Sequence, residues 1–496
     1  MDLINEFAFI LSKNTPGDFD TALPVNSKVR TLYELITNGK AKNDKEAAKI
    51  IYNSTKADKK YLMLKRNLVQ KLSDLVYLQS YQETDDENYM TIHFQVEKEL
   101  LIAEKLLLQN VYHNPTKIIS KVEQTAEKYF FIDIQVMAAR KFRSVFSLKG
   151  YPKETEEYDE KVKELVKYQN YYNASRGMWE KIYSKTKFTV AKTDSLINEC
   201  REYIQKIEPW LKKYNSPFIK IFLYKIKIVY YHQQNEHEKI WYTMQDLIDL
   251  IAEYPFIDNK ALQLELNYYM ARYYRDSMQI EQAERHISAC LNLSDYRAFN
   301  KFLIQELNFD IAIKNEKYTE AFAILNEVKS VSQYQFLNPF DQSAWTLREG
   351  FLFIALVTQN ETELISKLPI LGQEKALSNF LVATKKSTKG KYGYNIMLLM
   401  IRVLLFKIFE QQEIDNEGNN LLIYYHRYLK EINSQRTVAF FRHLGKSAAQ
   451  GFDIEEMEER KTKFHKRLQE INCPYYDAYE IIPYERFWGM AMTLAK

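Results

Sequence analysis

Along nearly the whole chain, apolar residues return at three- and four-residue intervals, and sustained apolar/polar alternation is almost absent. This pattern predicts helices from end to end. It breaks at short polar or proline-containing stretches: HNPTK (113–117), KGYPKE (149–154), NSPF (215–218), EYPF (253–256), LNPF (337–340) and NCPYY (472–476). Between the breaks, the middle of the chain divides into helix pairs at roughly 217–254, 258–293, 297–333 and 340–375. The step of about 35–45 residues suits a helical repeat array, although no identical motif recurs. The most apolar segment, Ile396–Phe409, carries Arg402 and Lys407 and is shorter than the roughly 20 residues that span a bilayer. It is expected to be a central helix buried nearly all round.

The first 80 residues follow a different rhythm. A loop, NTPGDFDTALPVNS, separates a short first helix from TLYELITNGK. Asn43 or Asp44 can cap a short helix holding Ala47, Ala48, Ile50 and Ile51. A long helix follows, with Tyr61, Leu62, Leu64, Leu68 and Leu72 assigned to its apolar side. The C-terminal stretch with Tyr475, Tyr476, Tyr479, Tyr484, Phe487 and Trp488 is expected to seal the last repeat, as arrays require.

In NYYMARYYRDSMQIEQAERHISACLNL (267–293), small Ala271 is followed by Tyr274, then by Ala283 and Cys290. In KNEKYTEAFAIL (314–325), Tyr318 and Ala321 echo the turn aromatic and second-helix alanine. This spacing resembles the tetratricopeptide repeat over roughly 217–375. Phe309 and Ala312 depart from its first-helix pattern, and the terminal proline is missing from both repeats. The resemblance implies packed helix pairs and a concave surface that binds peptides or partner proteins. Tyr230, Tyr231, Tyr268, Tyr269, Tyr273 and Tyr274 are read mostly as core or inter-repeat contacts, the remainder as anchors of a peptide groove.

Composition narrows the picture. Only 12 glycines and 11 prolines occur in 496 residues, too few for glycine-rich phosphate loops or a sandwich of tight turns. Cys200, Cys290 and Cys473 lie far apart and form no CxxC motif, so a reducing compartment is expected. The opening MDLINEFAFILSKN lacks a basic region and a long apolar run, so the chain is expected to be cytoplasmic, with no membrane partner.

The net charge of +4 hides an asymmetry: residues 28–71 hold twelve Lys/Arg against four Asp/Glu, a local net of +8 that leaves the remainder at −4. Two alanines, a turn and a second helix with Lys59, Lys60, Lys65 and Arg66 resemble a helix-turn-helix, which would place these cations on nucleic-acid phosphates. The turn glycine is absent, with Tyr52 and Asn53 near its place.

Several fragments imitate chemistry and fail on spacing. Gly445-Lys446-Ser447 resembles the end of a P-loop, but Phe440 stands where the upstream glycine belongs. His237-Glu238 starts a zinc motif whose second histidine is replaced by Trp241. Glu413, Asp415, Glu417 and Gly418 mimic half a calcium loop, but Tyr424 cannot supply its bidentate carboxylate. Arg460/His465 and Arg436/His443 resemble the short ribonuclease motif of all-helical HEPN domains, where histidine would move a proton and arginine would hold phosphate charge. His286 is read as an interface residue, and 385–395 as an ordinary connector.

The expectation is therefore an all-α protein: an irregular α-solenoid of antiparallel helix pairs, tetratricopeptide-like, behind an N-terminal basic helical domain. Its divisions are 1–82 basic helical domain, 88–375 helical-repeat array and 376–496 C-terminal helical region capping the array. No cofactor, metal or catalytic residue is assigned. The expected function is a non-catalytic scaffold for a protein or peptide partner. The alternatives are a regulator that binds nucleic acid through residues 28–71, and an all-helical ribonuclease using Arg460 and His465.

Overall fold

The computed structural model describes residues 2–13, 19–54, 56–78, 89–188, 193–293, 300–384, 394–429, 435–471, 475 and 479–496. Cys473, Tyr476 and most of the 385–395 connector lie outside the described residues. Every regular element among those described is helical, and no described helix is long and apolar enough to cross a membrane. The chain forms two compact units, Met1–Gly150 and Tyr151–Lys496.

In the first unit, α1 (Asp2–Lys13), α2 (Phe19–Ala22), α3 (Lys28–Thr37), α4 (Asp44–Tyr52) and α5 (Lys59–Leu78) share one apolar core. Ala47, Ala48, Tyr61, Leu68 and Leu72 are fully buried in it. Leu62, expected on the apolar side of its helix, is instead 52% exposed. The reason is angular: the buried stripe of α5 runs through Tyr61, Leu68, Leu72 and Leu75, and Leu62 lies one residue, some 100°, off it. Helices α6 (Tyr89–Leu108), α7 (His113–Lys128) and α8 (Ile132–Leu148) pack on one another and belong to this unit, whereas the sequence placed 88–150 with the array.

The second unit opens with α9 (Pro152–Phe188), a helix of 37 residues. Next come α10 (Thr193–Lys213), α11 (Pro217–Gln233), α12 (His237–Glu253), α13 (Lys260–Asp276), α14 (Ile280–Leu293), α15 (Asn300–Lys314) and α16 (Tyr318–Ser330), each packed on its neighbour in sequence. Pro217 falls in the first turn of α11, where a missing N–H costs nothing, and follows the Ser216 cap, whereas Pro209 lies inside α10. From Leu262 to Asp276, from Lys301 to Lys314 and throughout α11, no residue is exposed; α12, α14 and α16 keep a solvent face. Helices α11, α13 and α15 are thus the inner members of these pairs, and α12, α14 and α16 the more exposed ones.

The expected pair at 340–375 is not a pair. Its first helix, α17 (Pro339–Thr358), is buried continuously from Ser343 to Leu356, and its second, α18 (Thr362–Ser366), has only five residues. A core extending from Phe309 to Met492 surrounds α17, α19 (Ala376–Thr384), α20 (Tyr394–Ile408), α21 (Ile414–Tyr424), α22 (Gln435–Ala448), α23 (Ile454–Ile471) and α24 (Tyr484–Ala495). Gly350 lets α17 approach closely, since a Cβ there would stand 3.0 Å from Ile401 and 3.1 Å from Phe380. Ile396–Phe406 is buried as expected apart from Leu399 and Arg402. Tyr484, Phe487 and Trp488 lie within this core, with Phe440 and Tyr484 stacked at 4.4 Å. They are central to it, where the sequence made them a terminal cap.

One turn recurs between helices. Asn235, Met278, Glu316, Asn360 and Glu410 all have positive φ, between 49° and 62°. After each, the next residue donates its N–H back five positions: Glu236 to Tyr231, Gln279 to Tyr274, Lys317 to Ala312, Glu361 to Leu356 and Gln411 to Phe406, all at 2.9–3.0 Å. This is the Schellman arrangement that satisfies the last carbonyls of a helix.

Candidate functional site

The cationic span is ordered by its own acids. Asn43 caps α4 by accepting the N–H groups of Lys45 and Glu46, while Glu46 reaches back to the Lys42 N–H at 2.8 Å. Asp58 caps α5 through the Tyr61 N–H at 2.9 Å. Asp44 accepts the Tyr61 hydroxyl at 2.9 Å and the Lys65 ammonium at 2.8 Å. Burial alone would raise the Asp44 carboxyl, but Lys65 and Tyr61 outweigh it and hold it below its ordinary value. Glu34 takes Arg30 at 2.8 Å. All four acids of residues 28–71 are thereby committed to local bonds.

The cations divide accordingly. Arg30 and Lys65 are ion-paired, Lys71 donates to the Ala22 carbonyl at 2.6 Å, and Lys28 lies over the Tyr52 ring at 4.4 Å. Lys40, Lys42, Lys45, Lys49, Lys56, Lys59, Lys60 and Arg66 are exposed, and their side chains have no ion pair or hydrogen bond among the described residues. Of the four contacts singled out from sequence, Lys59, Lys60 and Arg66 face solvent, whereas Lys65 is a fold-holding partner of Asp44. The solvent face of α5 reads Lys59, Met63, Arg66, Asn67 and Gln70, at helical spacing.

The helix pairs carry charge inward. Ala271, Ala283 and Cys290 are fully buried in one cluster, against which Tyr274 packs. Tyr274 stacks on His286 at 5.4 Å, and His286 Nδ1 sits 2.8 Å from Asn267 Oδ1, an interface role. Tyr318 is half-buried and Ala321 fully buried at the head of α16. Burial pushes the thiols of Cys200 and Cys290 up to about 12, which leaves them inert as nucleophiles at neutral pH.

Between successive inner helices runs a chain of ion pairs. Lys225 of α11 pairs with Glu265 of α13. His232 lies 3.8 Å from Asp276, and Arg272 stands 3.5 Å from the other His232 nitrogen. Arg275 binds Asp276 at 2.8 Å and reaches Asp310 of α15 at 3.3 Å. Arg348 of α17 grips Asp310 with two bonds, 3.0 and 3.2 Å, and meets Glu306 at 3.3 Å. Burial opposes ionisation of Asp276, yet Arg275, His232 and Arg272 pull it well below the carboxylate range. Burial, reinforced by Arg272, lowers His232 to about 4.

The chain continues toward the C-terminus. Lys314 donates to the Glu480 carbonyl, and burial draws its ammonium down to about 8. Arg436 is clamped by Glu480 at 2.7 Å and Glu485 at 2.9 Å. Periodicity marked these helices but could not reveal which charges meet between them.

The catalytic look-alikes resolve into helix. Gly445-Lys446-Ser447 lies inside α22, where backbone amides are used within the helix and cannot cradle phosphate. Glu417 of the calcium-like run pairs with Arg402 at 2.6 Å. His237 stacks face to face on Tyr475 at 3.7 Å. Arg460 and His465, five apart on one helix, point in directions about 140° different, so the linear motif does not put them together. Arg436, two turns from His443, is saturated by Glu480 and Glu485. Among the described residues, no group of three or more His, Cys, Asp or Glu could hold a metal ion.

Comparison with known proteins brings no match: no protein-family model fits the chain, and no curated protein or solved structure matches it.

Proposed function

We propose that this is a non-catalytic nucleic-acid-binding regulator. Its first unit engages phosphates through α4, α5 and the turn between them, and its helix pairs form a tetratricopeptide-like solenoid that receives a partner. The cytoplasm suits such a role. One observation carries the reading: eight exposed cations stand without acidic partners while every acid of the same span is consumed in caps and pairs. Such a surface lowers its own repulsion by displacing the counterions of a polyanion. The inner helices favour the scaffold reading less, because their charges already satisfy one another.

Fluorescence anisotropy against DNA and RNA oligonucleotides across a salt series tests this. Binding should weaken steeply with salt. The triple variant Lys59→Glu, Lys60→Glu, Arg66→Glu should bind at least tenfold more weakly and reduce the log–log salt slope by roughly 1–3. No binding even at low salt would leave the helix pairs as a protein scaffold alone.

A further inference from the structure

The two fragments that failed as linear motifs meet in space. Helices α22 and α23 pack together, with the His443 ring 5.5 Å from Phe464 of α23. Along α22, Arg442 and Lys446 are one turn apart, as are His443 and Ser447. From α23 come Arg460 and Lys463, one turn apart on a shared face. All four cations lie close enough to His443 to oppose its protonation, and Arg442, Arg460 and Lys463 likewise crowd Lys446.

Their partners do not balance them. Arg460 takes Glu456 at 2.9 Å and the Gln450 side chain, and Lys463 takes Glu459. Arg442 and Lys446 have no acidic partner among the described residues. Three polar atoms of the same cluster also lack any protein hydrogen-bond partner: His443 Nδ1, Arg460 Nε and Ser447 Oγ, the last on a residue only 1% exposed. Two uncompensated positive charges thus sit beside unpartnered polar atoms, an arrangement that an anion would complete. Burial, then the four cations, bring His443 down to about 4, so at neutral pH the imidazole is uncharged and can still donate one hydrogen bond.

We infer that Arg442, Lys446, Arg460 and Lys463, with His443 and Ser447 behind them, form a binding site for a tetrahedral phosphate dianion, free or as a terminal phosphomonoester. The dianion matches the two unpaired charges, and the fork of Arg442 can grip two of its oxygens. The site lies on α22 and α23, in the second unit, and is independent of the cationic surface of α4 and α5.

Calorimetric titration with inorganic phosphate, at ionic strength held constant with chloride, tests the site. The full chain carrying Lys59→Glu, Lys60→Glu and Arg66→Glu serves as host, so that the N-terminal cations do not contribute. Phosphate should bind, and Arg442→Gln or Lys446→Gln should each weaken it about tenfold, whereas Lys239→Gln should not. Adenosine 5′-monophosphate against adenosine separates the sources: binding of the monophosphate alone shows that an ester is accepted, and binding of neither restricts the site to the free anion. Absence of phosphate binding, or binding in both glutamine variants as tight as in the host, would overturn the inference. Arg442 is exposed, so its variant is expected to fold even if the Lys446 variant does not.

Discussion

Lys65 shows how one residue can be legible in type and misjudged in role. Its charge and position placed it among the phosphate contacts, yet Asp44 holds it at 2.8 Å. The choice between solvent and Asp44 depends on where α4 lies against α5, which periodicity does not encode. Lys65→Gln should therefore lower the melting temperature while leaving the salt slope of nucleic-acid binding unchanged, the reverse of Arg66→Gln. Deeper inside, Arg348 has a side chain 5% exposed and holds Asp310 and Glu306. Arg348→Met removes the buried cation between Glu306 and Asp310, leaving Asp310 to Arg275, and should cost about 3–5 kcal/mol in urea unfolding. His232, 17% exposed, is lowered to about 4 and must charge on unfolding in mild acid. Because its folded value lies below the ordinary 6.5, its stability contribution is complete above that pH and is lost as pH falls from there toward 4. Acidification from pH 7 to 5 should cost roughly 1–2 kcal/mol more in the native chain than in His232→Asn.

At the scale of elements, the helices themselves were readable: the expected pairs at 217–254, 258–293 and 297–333 coincide with α11 to α16. Their ends were less so, because the turn that closes them does not use the residue it favours. A left-handed residue after a helix is most often glycine, but here Asn235, Met278, Glu316, Asn360 and Glu410 take that place. The chain's scarcity of glycine therefore hid a recurring backbone motif. Met278→Gly should raise stability by roughly 0.5–1 kcal/mol, measured by denaturant midpoint, since only the strain of a side chain at φ 62° is relieved. Tight crossings carry the opposite sign. A Cβ on Gly418 would stand 2.2 Å from the Ala449 backbone nitrogen, so Gly418→Ala must push α21 away from α22 and destabilise the C-terminal core.

For the whole molecule, charge asymmetry was visible from composition, and the all-helical class from periodicity. The division of the chain was less visible. Helices α6 to α8 have the same rhythm as the pairs that follow, so nothing in their pattern assigns them to the first unit. Likewise α17 looked like one more repeat helix, yet neighbours from 376–495 enclose it. Two compact units of different size should unfold in two calorimetric transitions. Arg348→Met should lower the transition of residues 151–496 and leave the other in place; a single transition shifting as one would show that the units are thermodynamically fused.

The ion pairs between α11, α13, α15 and α17 resemble the teeth of a rack. Each inner helix meets the next through charges at one particular height: Lys225 with Glu265, Arg275 with Asp310, Arg348 with Asp310. Sliding one helix by a single turn, about 5.4 Å, would disengage the teeth together and strand buried charges on both sides. Apolar ridges alone tolerate small slips; these do not. Under a pulling force the inner layer should hold its alignment until it gives way abruptly, so that tension is carried along it without gradual stretching.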